Sequence, residues 1–283
     1  MKSELEKNKL ETTLKLKSLC KLNLGLWVKE KRSDGFHEIE TIFFESDVIF
    51  DEIKIDFKEG KDSLIEVLFN QNNLNKSIPM KKNIAYKAAE LFFKEIGVPG
   101  QCNILINKRI PMEAGLGGGS SNAATVLKGL NQIFKLPVEQ RVLLRLAGQL
   151  GSDVPFFVLG GACEGKGRGE VLTPLAHNLH LDIKIIKPEG ISISTKWAYE
   201  MIDSREFCPD HDKQIEDLKI ALESPDYELL FKNIFNDFEI IAFSSFPKLI
   251  EERKKLLAEG YNSVCLCGSG SALFGIRKGN NSK

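Results

Sequence analysis

A glycine-rich segment at residues 111–124 limits the possible folds of this chain more than any other part of the sequence. Before this segment, apolar and polar residues alternate over positions 102–106, which is typical of a strand. After it, apolar residues recur at three- and four-residue steps over positions 123–134, which predicts an amphipathic helix that begins near Ser120 or Ser121. A fold for this chain must therefore place a glycine loop between a strand and the first turn of a helix.

A glycine loop in this position suits an anionic ligand. Glycine lets the backbone take positive φ values and approach a ligand without a Cβ clash. The unpaired N–H groups at a helix start and the positive end of the helix dipole favour an anion, most often phosphate. The segment has neither the Gly-Lys-Ser/Thr of a P-loop nor the Gly-x-Gly-x-x-Gly spacing of dinucleotide-binding folds. A flexible turn that only caps the helix is the alternative, but the order strand, loop, helix favours phosphate binding.

Length and composition indicate a globular protein of two domains. The 283 residues are 42% apolar and 28% charged, and the chain exceeds the size of one typical domain. Lys plus Arg and Asp plus Glu both number 39, so the net charge of zero argues against a nucleic-acid or anionic-membrane surface. No apolar run approaches the roughly 20 residues that span a bilayer, and residues 1–17 fit neither a secretion signal nor a transit peptide. We therefore expect a cytoplasmic protein.

The cysteines indicate buried thiols and give no sign of a metal site. They are scattered along the chain without metal-ligand spacing. Two of them lie two positions apart in an apolar stretch, where they would share one face of a strand. We expect reduced and mostly buried thiols. The six residues are Cys20, Cys102, Cys163, Cys208, Cys265 and Cys267.

Residues 14–28 have the pattern of a half-buried strand. The even positions are mostly apolar, whereas the odd positions carry lysine and asparagine. This register places Lys21 and Asn23 together on the face opposite the core. A solvated strand lysine is the other interpretation of Lys21, and the pattern leaves it open.

Elsewhere the pattern predicts further strands and helices joined by turns. The predicted strands are 38–50, 52–57, 181–186, 263–267 and 272–276, and an Asp-Gly turn at 34–35 precedes the first of them. The predicted helices are 83–97 with Asn83 as its N-cap, 138–150, 215–222 and 246–258. The predicted irregular segments are a polar loop at 70–76, a glycine-rich hairpin and domain border at 160–172, and a disordered tail at 277–283.

A short connection at 151–157 holds a candidate functional carboxylate. Gly151 ends the preceding helix, and we expect Pro155 to prevent the helix from resuming at once. Asp153 is therefore held in a restrained turn. Taken alone, an aspartate in such a place is more often a cap or turn residue than a catalyst.

Several segments together resemble one superfamily. The 111–124 segment reads Pro-Met-Glu-Ala-Gly-Leu-Gly-Gly-Gly-Ser-Ser-Asn-Ala-Ala and closely resembles the phosphate-binding motif of the GHMP kinases. Those enzymes include galactokinase, homoserine kinase, mevalonate kinase and phosphomevalonate kinase. The glycine motif alone specifies only this superfamily.

Within the superfamily, the chain resembles the CDP-methylerythritol kinases. The resemblance covers about Leu19 to Phe274, with the motifs in family order. The segments that carry it are 20–26, 32–38, 151–157 and 164–170. Asp-Gly-Phe-His at 34–37 and Ser-Asp-Val-Pro-Phe-Phe at 152–157 supply the narrower assignment.

The resemblance implies an α+β, two-layer GHMP kinase fold. It implies an N-terminal ribosomal-protein-S5-like nucleotide domain at 1–170, a C-terminal ferredoxin-like domain at 171–283, and an active site in the cleft between the domains. It also implies ATP-dependent phosphorylation of the 2-hydroxyl of 4-diphosphocytidyl-2-C-methyl-D-erythritol in the non-mevalonate route to isoprenoids. ATP and Mg²⁺ are the expected cofactors, small molecules are the expected partners, and a monomer or weak homodimer is the expected state.

The resemblance also assigns roles to individual residues. Asp153 matches the catalytic aspartate that accepts the proton of the substrate hydroxyl. Lys21 matches the paired lysine, which would lower the pKa of that aspartate and stabilise charge on the γ-phosphoryl group. Ser121 is a Mg²⁺ candidate by analogy with the motif. The implied nucleotide contacts are Asn83, Lys108, Pro111, Met112, Gly115, Leu116, Gly117, Gly118, Gly119, Ser120 and Ser121. The implied substrate contacts are Asn23, Phe36, His37, Asp153, Thr195 and Tyr199.

The chain departs from the family pattern at Phe36, where many relatives carry tyrosine, so an aromatic wall remains without its hydroxyl. Relatives also commonly continue with a further helix and strand beyond the position of Ile276.

Two alternative functions remain. One is another GHMP small-molecule kinase, of the homoserine or mevalonate type, and a panel of alcohols would separate it. The other is a non-catalytic metabolite sensor on the same fold, which would not need both Lys21 and Asp153.

Overall fold

The computed structural model describes residues 11–134, 138–203 and 211–279, which combine helices and strands in an α+β arrangement. The strands are β1 Glu11–Lys31, β2 His37–Glu59, β3 Leu64–Phe69, β4 Gly100–Asn107, β5 Ala162–Lys166, β6 Val171–Leu175, β7 Leu181–Ile186, β8 Phe235–Asn236, β9 Ser263–Leu266 and β10 Leu273–Lys278. The helices are α1 Asn72–Ser77, α2 Ile84–Ile96, α3 Gly118–Ile133, α4 Gln140–Leu150, α5 Val154–Leu159, α6 Thr195–Ile202, α7 Asp212–Glu223, α8 Tyr227–Asn233, α9 Glu239–Ser245 and α10 Pro247–Ala258, with a 3₁₀ turn at Met80–Lys82.

The chain forms two compact units that interleave along the sequence. The first unit takes its residues from 1–19, 50–110 and 118–158, and the second takes its residues from 20–49, 111–117 and 159–283. The glycine-rich segment is therefore divided, because residues up to Gly117 belong to the second unit and residues from Gly118 belong to the first. The domain division expected at residue 170 stays a prediction.

The first unit has a sheet covered by helices. Strand β4 pairs in parallel with β3 and antiparallel with residues 52–59 of β2. Helices α2, α3 and α4 pack against one another. Aromatic rings fill the core, where Phe57 lies 5.2 Å from Phe134 and Phe92 lies 5.8 Å from Phe134 between ring centroids. The alternation predicted for 102–106 is confirmed, since the even residues of β4 are buried.

The second unit contains a β-hairpin and a separate three-stranded sheet. Strand β5 pairs antiparallel with residues 41–44 of β2 and with β6, which confirms the glycine-rich hairpin predicted at 160–172. Strand β10 lies between β7 and β9, antiparallel to both. Helices α6, α9 and α10 contribute buried apolar residues to one core with β9 and β10. Strand β8 pairs in parallel with β1 at Gly25 and Leu26.

The structure differs from the sequence predictions at several boundaries, and the strands predicted separately at 38–50 and 52–57 form the one continuous strand β2. Helix α3 begins at Gly118, two residues before the predicted start. The expected polar loop at 70–76 contains helix α1, which Asn75 holds through two side-chain bonds to the backbone of Phe69. Pro155 lies in the first turn of α5 and does not delay it, because a first-turn proline gives up no helical hydrogen bond. In the expected disordered tail, residues 277–278 belong to β10, and residues 280–283 lie outside the described part.

The prediction of a half-buried strand is correct for one part of β1 and wrong for the other. Residues 11–17 alternate between exposed and half-buried, whereas both faces of the strand are covered from Cys20 to Val28. Lys21 is 5% exposed and Asn23 is 2% exposed. Their face is thus not solvated, because tertiary contacts that no local pattern records cover it.

The described cysteines are buried and unpaired, as the composition indicated. Cys20, Cys102, Cys163, Cys265 and Cys267 are free thiols, and Cys208 lies outside the described residues. Burial raises the pKa of the Cys20 thiol to about 12 and that of Cys102 to about 12, so both stay protonated near neutral pH. Among the residues that the structure describes, no helix is long and apolar enough to cross a bilayer.

Candidate active site

Lys21 begins a chain of buried hydrogen bonds on strands β1 and β2. Its Nζ atom donates to Oδ1 of Asn23 at 2.6 Å and lies 5.5 Å from the centre of the Phe43 ring. The amide nitrogen of Asn23 donates to the hydroxyl of Thr41 at 2.8 Å, and that hydroxyl donates to the carbonyl of Gly25 at 2.6 Å. The relay fixes the lysine side chain in one place within a nearly closed environment.

The first half of the glycine loop, residues 111–117, is anchored by its backbone. The carbonyl of Leu116 accepts a bond from the backbone N–H of Lys21 at 3.1 Å. The carbonyl of Met112 accepts a bond from Nζ of Lys187 at 2.5 Å. Leu116 as a whole residue is only 1% exposed, so this part of the loop packs inside the unit.

A second glycine-rich turn, residues 268–271, lies directly against this half of the loop. Gly115 has a φ of 74°, and a Cβ there would lie 1.6 Å from the carbonyl oxygen of Cys267. A Cβ at Gly268 would lie 3.2 Å from Nζ of Lys21. No side chain fits between the backbones of the glycine loop and the 268–271 turn. Because Lys21 contacts both segments, these two glycine-rich segments enclose it.

Glu113 is held in an unusual backbone conformation in the same stretch. Its φ of 52° falls in the left-handed region that residues with a Cβ seldom occupy. Its carboxylate accepts a bond from the hydroxyl of Ser192 at 2.6 Å. This bond ties the loop to the segment that leads into α6.

The second half of the loop, residues 118–121, forms the first turn of α3. The N–H groups of a first helical turn have no partner within the helix, which suits an anion. Gly119 is exposed, whereas Ser121 is 1% exposed. A Cβ at Gly118 would lie 2.8 Å from Nζ of Lys108. The lysine ammonium thus lies directly against the start of the helix.

Ser121 belongs to a buried polar cluster with Ser18 and Asn122. The hydroxyl of Ser18 lies 2.7 Å from that of Ser121 and 2.8 Å from Oδ1 of Asn122. The Ser18 hydroxyl is the donor of both contacts, so its single proton lies between two acceptors, the Ser121 oxygen and the Asn122 amide oxygen. A hydroxyl oxygen has two lone pairs, so the Ser121 oxygen keeps one for another partner.

Asn83 and Lys108 already have partners in the first unit. Oδ1 of Asn83 accepts a bond from the N–H of Ala85 at 2.9 Å and caps α2, as predicted, so a nucleotide contact would come from its amide nitrogen. Nζ of Lys108 pairs with Asp51 at 2.5 Å. Burial lowers the pKa of Lys108, and the charge of Asp51 opposes that shift.

Asp153 lies in the turn between α4 and α5, immediately before the first residue of α5. Its neighbour Val154 donates its N–H to the carbonyl of Gly151 at 3.2 Å, which keeps the turn short. The residue is half-buried. The restrained connection predicted for this aspartate is therefore present.

His37 and Tyr199 lie together in the second unit. Their rings stack at 5.1 Å with an angle of 19° between planes. Nε2 of His37 lies 2.6 Å from Oδ1 of Asp203. Lys31, 2.5 Å from the same carboxylate group, holds the pKa of Asp203 below its usual value, and His37 adds to this effect. One face of Tyr199 and one nitrogen of His37 are therefore already engaged.

Phe36 and Thr195 complete the expected substrate residues. Phe36 is 54% exposed, and the guanidinium of Arg168 lies 4.8 Å from the centre of its ring. Thr195 is the first residue of α6, where its hydroxyl lies 3.1 Å from that of Ser269. Residues 195–202, which carry Thr195 and Tyr199, form helix α6.

Sequence reasoning did not single out several polar residues of this region. Ser18 and Asp51 are both fully buried, and each occupies the core-facing register of its strand, where a polar residue interrupts an apolar series. That interruption is a signal that the sequence offers. Asp203 and Glu113 carry no comparable local signal, because their partners lie far away along the chain.

The described residues contain no group of three or more His, Cys, Asp or Glu side chains that could hold a metal ion. A dedicated all-protein metal cage is therefore absent from the described ranges.

Comparison with known proteins gives matches over most of the chain. The family model for the GHMP kinases N terminal domain matches residues 83–161. The 4-diphosphocytidyl-2-C-methyl-D-erythritol kinase of Alkaliphilus metalliredigens is 38% identical over 268 residues, which cover 94% of this chain and 88% of the relative. The protein of the same name from Thermus thermophilus is 38% identical over 264 residues, which cover 92% and 86%.

Solved structures give the same result. The crystal structure of a 4-(cytidine 5'-diphospho)-2C-methyl-D-erythritol kinase matches with a TM-score of 0.75 and 36% identity, over 94% of this chain and 91% of that chain. A homoserine kinase from Cytophaga hutchinsonii matches with a TM-score of 0.73 and 17% identity, over 94% and 85%. The second likeness concerns the fold alone. Together they confirm the α+β fold predicted from the sequence.

Proposed function

This chain belongs to the 4-diphosphocytidyl-2-C-methyl-D-erythritol kinase family, within the GHMP kinases, and we propose that it transfers the γ-phosphoryl group of ATP to the 2-hydroxyl of 4-diphosphocytidyl-2-C-methyl-D-erythritol. The observation that carries the proposal is the position of Lys21, a buried ammonium enclosed by two glycine-rich segments. A buried ammonium enclosed by glycine backbone suits a transferred phosphoryl group.

The reaction that we propose is an in-line displacement. The substrate hydroxyl oxygen forms a bond to the γ-phosphorus, and the bond from that phosphorus to the β,γ-bridging oxygen breaks, which leaves its electron pair on ADP. Asp153 accepts the hydroxyl proton. Lys21 stabilises the charge on the phosphoryl oxygens, and the relay through Asn23 and Thr41 keeps its side chain in place.

We propose that ATP binds through the loop residues 111–121, with Asn83 and Lys108 as further contacts. Backbone N–H groups replace the lysine of a P-loop in holding the phosphates. Ser121 is the residue that we propose for Mg²⁺, because it lies in the first turn of α3 and its oxygen keeps one lone pair beside the bond that it accepts from Ser18. When bound with the nucleotide, Mg²⁺ neutralises charge on the β- and γ-phosphates.

We propose that His37, Tyr199 and Phe36 recognise the cytidine end of the substrate. Asp203 already engages Nε2 of His37, so the orientation of the imidazole ring is fixed before any substrate binds. Tyr199 stacks on His37 and lies edge-on to Phe238 at 5.0 Å between ring centroids, so its ring is also held in a fixed orientation.

A substrate panel tests this function. Purified protein with MgATP is assayed for ADP release with 4-diphosphocytidyl-2-C-methyl-D-erythritol, homoserine, mevalonate and no acceptor. We expect ADP release only with the first acceptor, with the new phosphate on its 2-hydroxyl by phosphorus–proton correlation NMR. Transfer to homoserine or mevalonate would support another GHMP kinase. Nucleotide binding with no transfer to any acceptor would support a sensor.

A further inference from the structure

Asp51 is a fully buried carboxylate to which the proposed mechanism gives no role. It lies on β2, and its side chain has no exposed surface. Its oxygens accept bonds from three consecutive residues. Oδ1 accepts from the backbone N–H groups of Arg109 at 2.7 Å and Ile110 at 2.8 Å, and Oδ2 accepts from Nζ of Lys108 at 2.5 Å. Asp51 thus fixes the segment that joins β4 to the glycine loop.

The charged ammonium of Lys108 lies in an electrostatically unfavourable position. Its ammonium is directly against Gly118, the first residue of α3. A helix N-terminus carries positive partial charge, so a lysine there is repelled by its surroundings. Its side chain is also only 8% exposed, which removes most of its hydration. A buried partner of opposite charge offsets both costs, and Asp51 is that partner.

We propose that Asp51 is a positioning residue for nucleotide binding, which holds the charged ammonium of Lys108 against the first turn of α3. Asp51 does not touch the nucleotide, because its side chain is completely enclosed. It acts through Lys108, and the inference rests on the proposed function of the loop in binding ATP. The helix N-terminus and the ammonium together then present one concentrated site for phosphate charge.

The charges around Lys108 give the proposal a pH signature. Burial lowers the pKa of Lys108 and the carboxylate of Asp51 counters that effect. Within the described residues, the other charged groups of this segment are Arg109 and Glu52, which pair with each other at 3.2 Å on the surface. Loss of the Asp51 charge therefore lowers the pKa of Lys108 further, and the ammonium loses its proton at a lower pH than in the wild type.

The test compares Asp51→Asn with the matched control Glu52→Gln. Both variants replace a carboxylate by its amide on neighbouring residues of β2, but Glu52 is half-exposed and pairs only on the surface. Calorimetric titration with a non-hydrolysable ATP analogue gives the Kd between about pH 7 and about pH 10, below and near the ordinary lysine pKa. Titration of lysine side chains by carbon NMR gives the pKa of Lys108 without any nucleotide, with Lys108→Met to assign its signal.

For Asp51→Asn we expect the Kd of the ATP analogue to rise by about tenfold to a hundredfold near pH 10, which is the scale for loss of a charged hydrogen bond. Near pH 7 the rise in Kd should be smaller. Glu52→Gln should bind as the wild type does at every pH. The double variant Asp51→Asn/Lys108→Met should bind no more weakly than Lys108→Met alone, because Asp51 acts through Lys108. A loss that is equal at every pH, or an unchanged Lys108 pKa in Asp51→Asn, would overturn the inference.

Asp51→Glu covers the case in which the amide variant does not fold. It keeps the charge but displaces the ammonium from Gly118, so we expect weaker binding without a change in pH dependence, and wild-type affinity would contradict the proposal.

The failure of the positioning role can be told apart from the failure of the proposed function. If the wild type does not bind the analogue, the proposed function fails. If the wild type binds the analogue but the pKa of Lys108 is the same in Asp51→Asn as in the wild type, only the positioning role fails.

Discussion

The two halves of the glycine loop are held in different ways, although they are adjacent in sequence. Residues 111–117 are held by close backbone packing, where the carbonyl of Cys267 approaches Gly115 so closely that no side chain fits, and by two side-chain bonds at Met112 and Glu113. Residues 118–121 belong to a helix and are fixed by side chains, through Lys108 and through Ser18. The first half therefore depends on shape and the second half on charge and hydrogen bonding.

Gly115→Val should have the largest effect on stability and on ATP binding, because it places a side chain in the half of the loop that has no room for one. The new Cβ would lie 1.6 Å from a backbone oxygen that cannot move aside, at a positive φ that valine avoids. We expect at least about 3 kcal/mol of lost stability and no detectable binding of an ATP analogue. Thermal unfolding and calorimetry measure the two effects.

Gly119→Ala is the matched change in the second half of the loop. Its Cβ would meet its nearest neighbour, Ile84, at 3.8 Å, and alanine favours a helix by up to about 1 kcal/mol. The melting temperature should therefore stay the same or rise. If Gly115→Val melted no lower than Gly119→Ala, the proposed difference between the halves would be wrong.

Lys21→Ala should lower kcat by about 10²-fold, the scale for loss of one preorganised charge that stabilises a transition state. The backbone N–H of Lys21 still anchors Leu116 in this variant, so KM for ATP should change much less than kcat. Steady-state kinetics with each substrate varied separate the two constants. Lys15→Ala is the control on the same strand, since Lys15 is exposed. Equal losses in both variants would mean that Lys21 has no special role.

Ser18→Ala should have a smaller effect, confined to the second half of the loop. It removes a buried hydroxyl and leaves Asn122 and Ser121 without that partner, which costs about 1–3 kcal/mol. Denaturant unfolding measures the loss. Thr13→Ala, which removes an exposed hydrogen bond from the same strand, should stay within about 0.5 kcal/mol of the wild type. A Ser18→Ala variant as stable as Thr13→Ala would show that the cluster is unimportant.

Glu113→Gly should have the smallest effect, because two consequences oppose each other. It removes the bond from Ser192, worth about 1 kcal/mol, and it relieves a left-handed backbone that costs a residue with a Cβ about 1–3 kcal/mol. Ser192→Ala removes the same bond and keeps the strain, so it should unfold at lower denaturant than Glu113→Gly. The reverse order would contradict the strain at Glu113.

Local signals were enough to predict much of the fold. The glycine loop, the Asn83 cap and the strand at 102–106 follow from spacing and residue type within a few positions. Local signals were also enough to restrict Asp153 to a short turn, although Pro155 was wrongly expected to delay the next helix.

The remainder of the candidate site depends on contacts between distant parts of the chain. Lys21 is buried because the 268–271 turn and the glycine loop cover the second face of β1, which no alternation pattern reveals. Asp203 meets His37 across 166 positions of sequence, so local spacing could not indicate the pair. Asp51 was detectable in principle, as a carboxylate in the core-facing register of a strand.

The proposed transfer of a phosphoryl group to an alcohol, with Asp153 as the proton acceptor, is tested by the variant Asp153→Asn. Kinetics with MgATP and 4-diphosphocytidyl-2-C-methyl-D-erythritol should show kcat lowered by about 10²-fold or more, the usual scale for loss of a general base. KM for both substrates and the melting temperature should change little. Turnover close to that of the wild type would contradict the account.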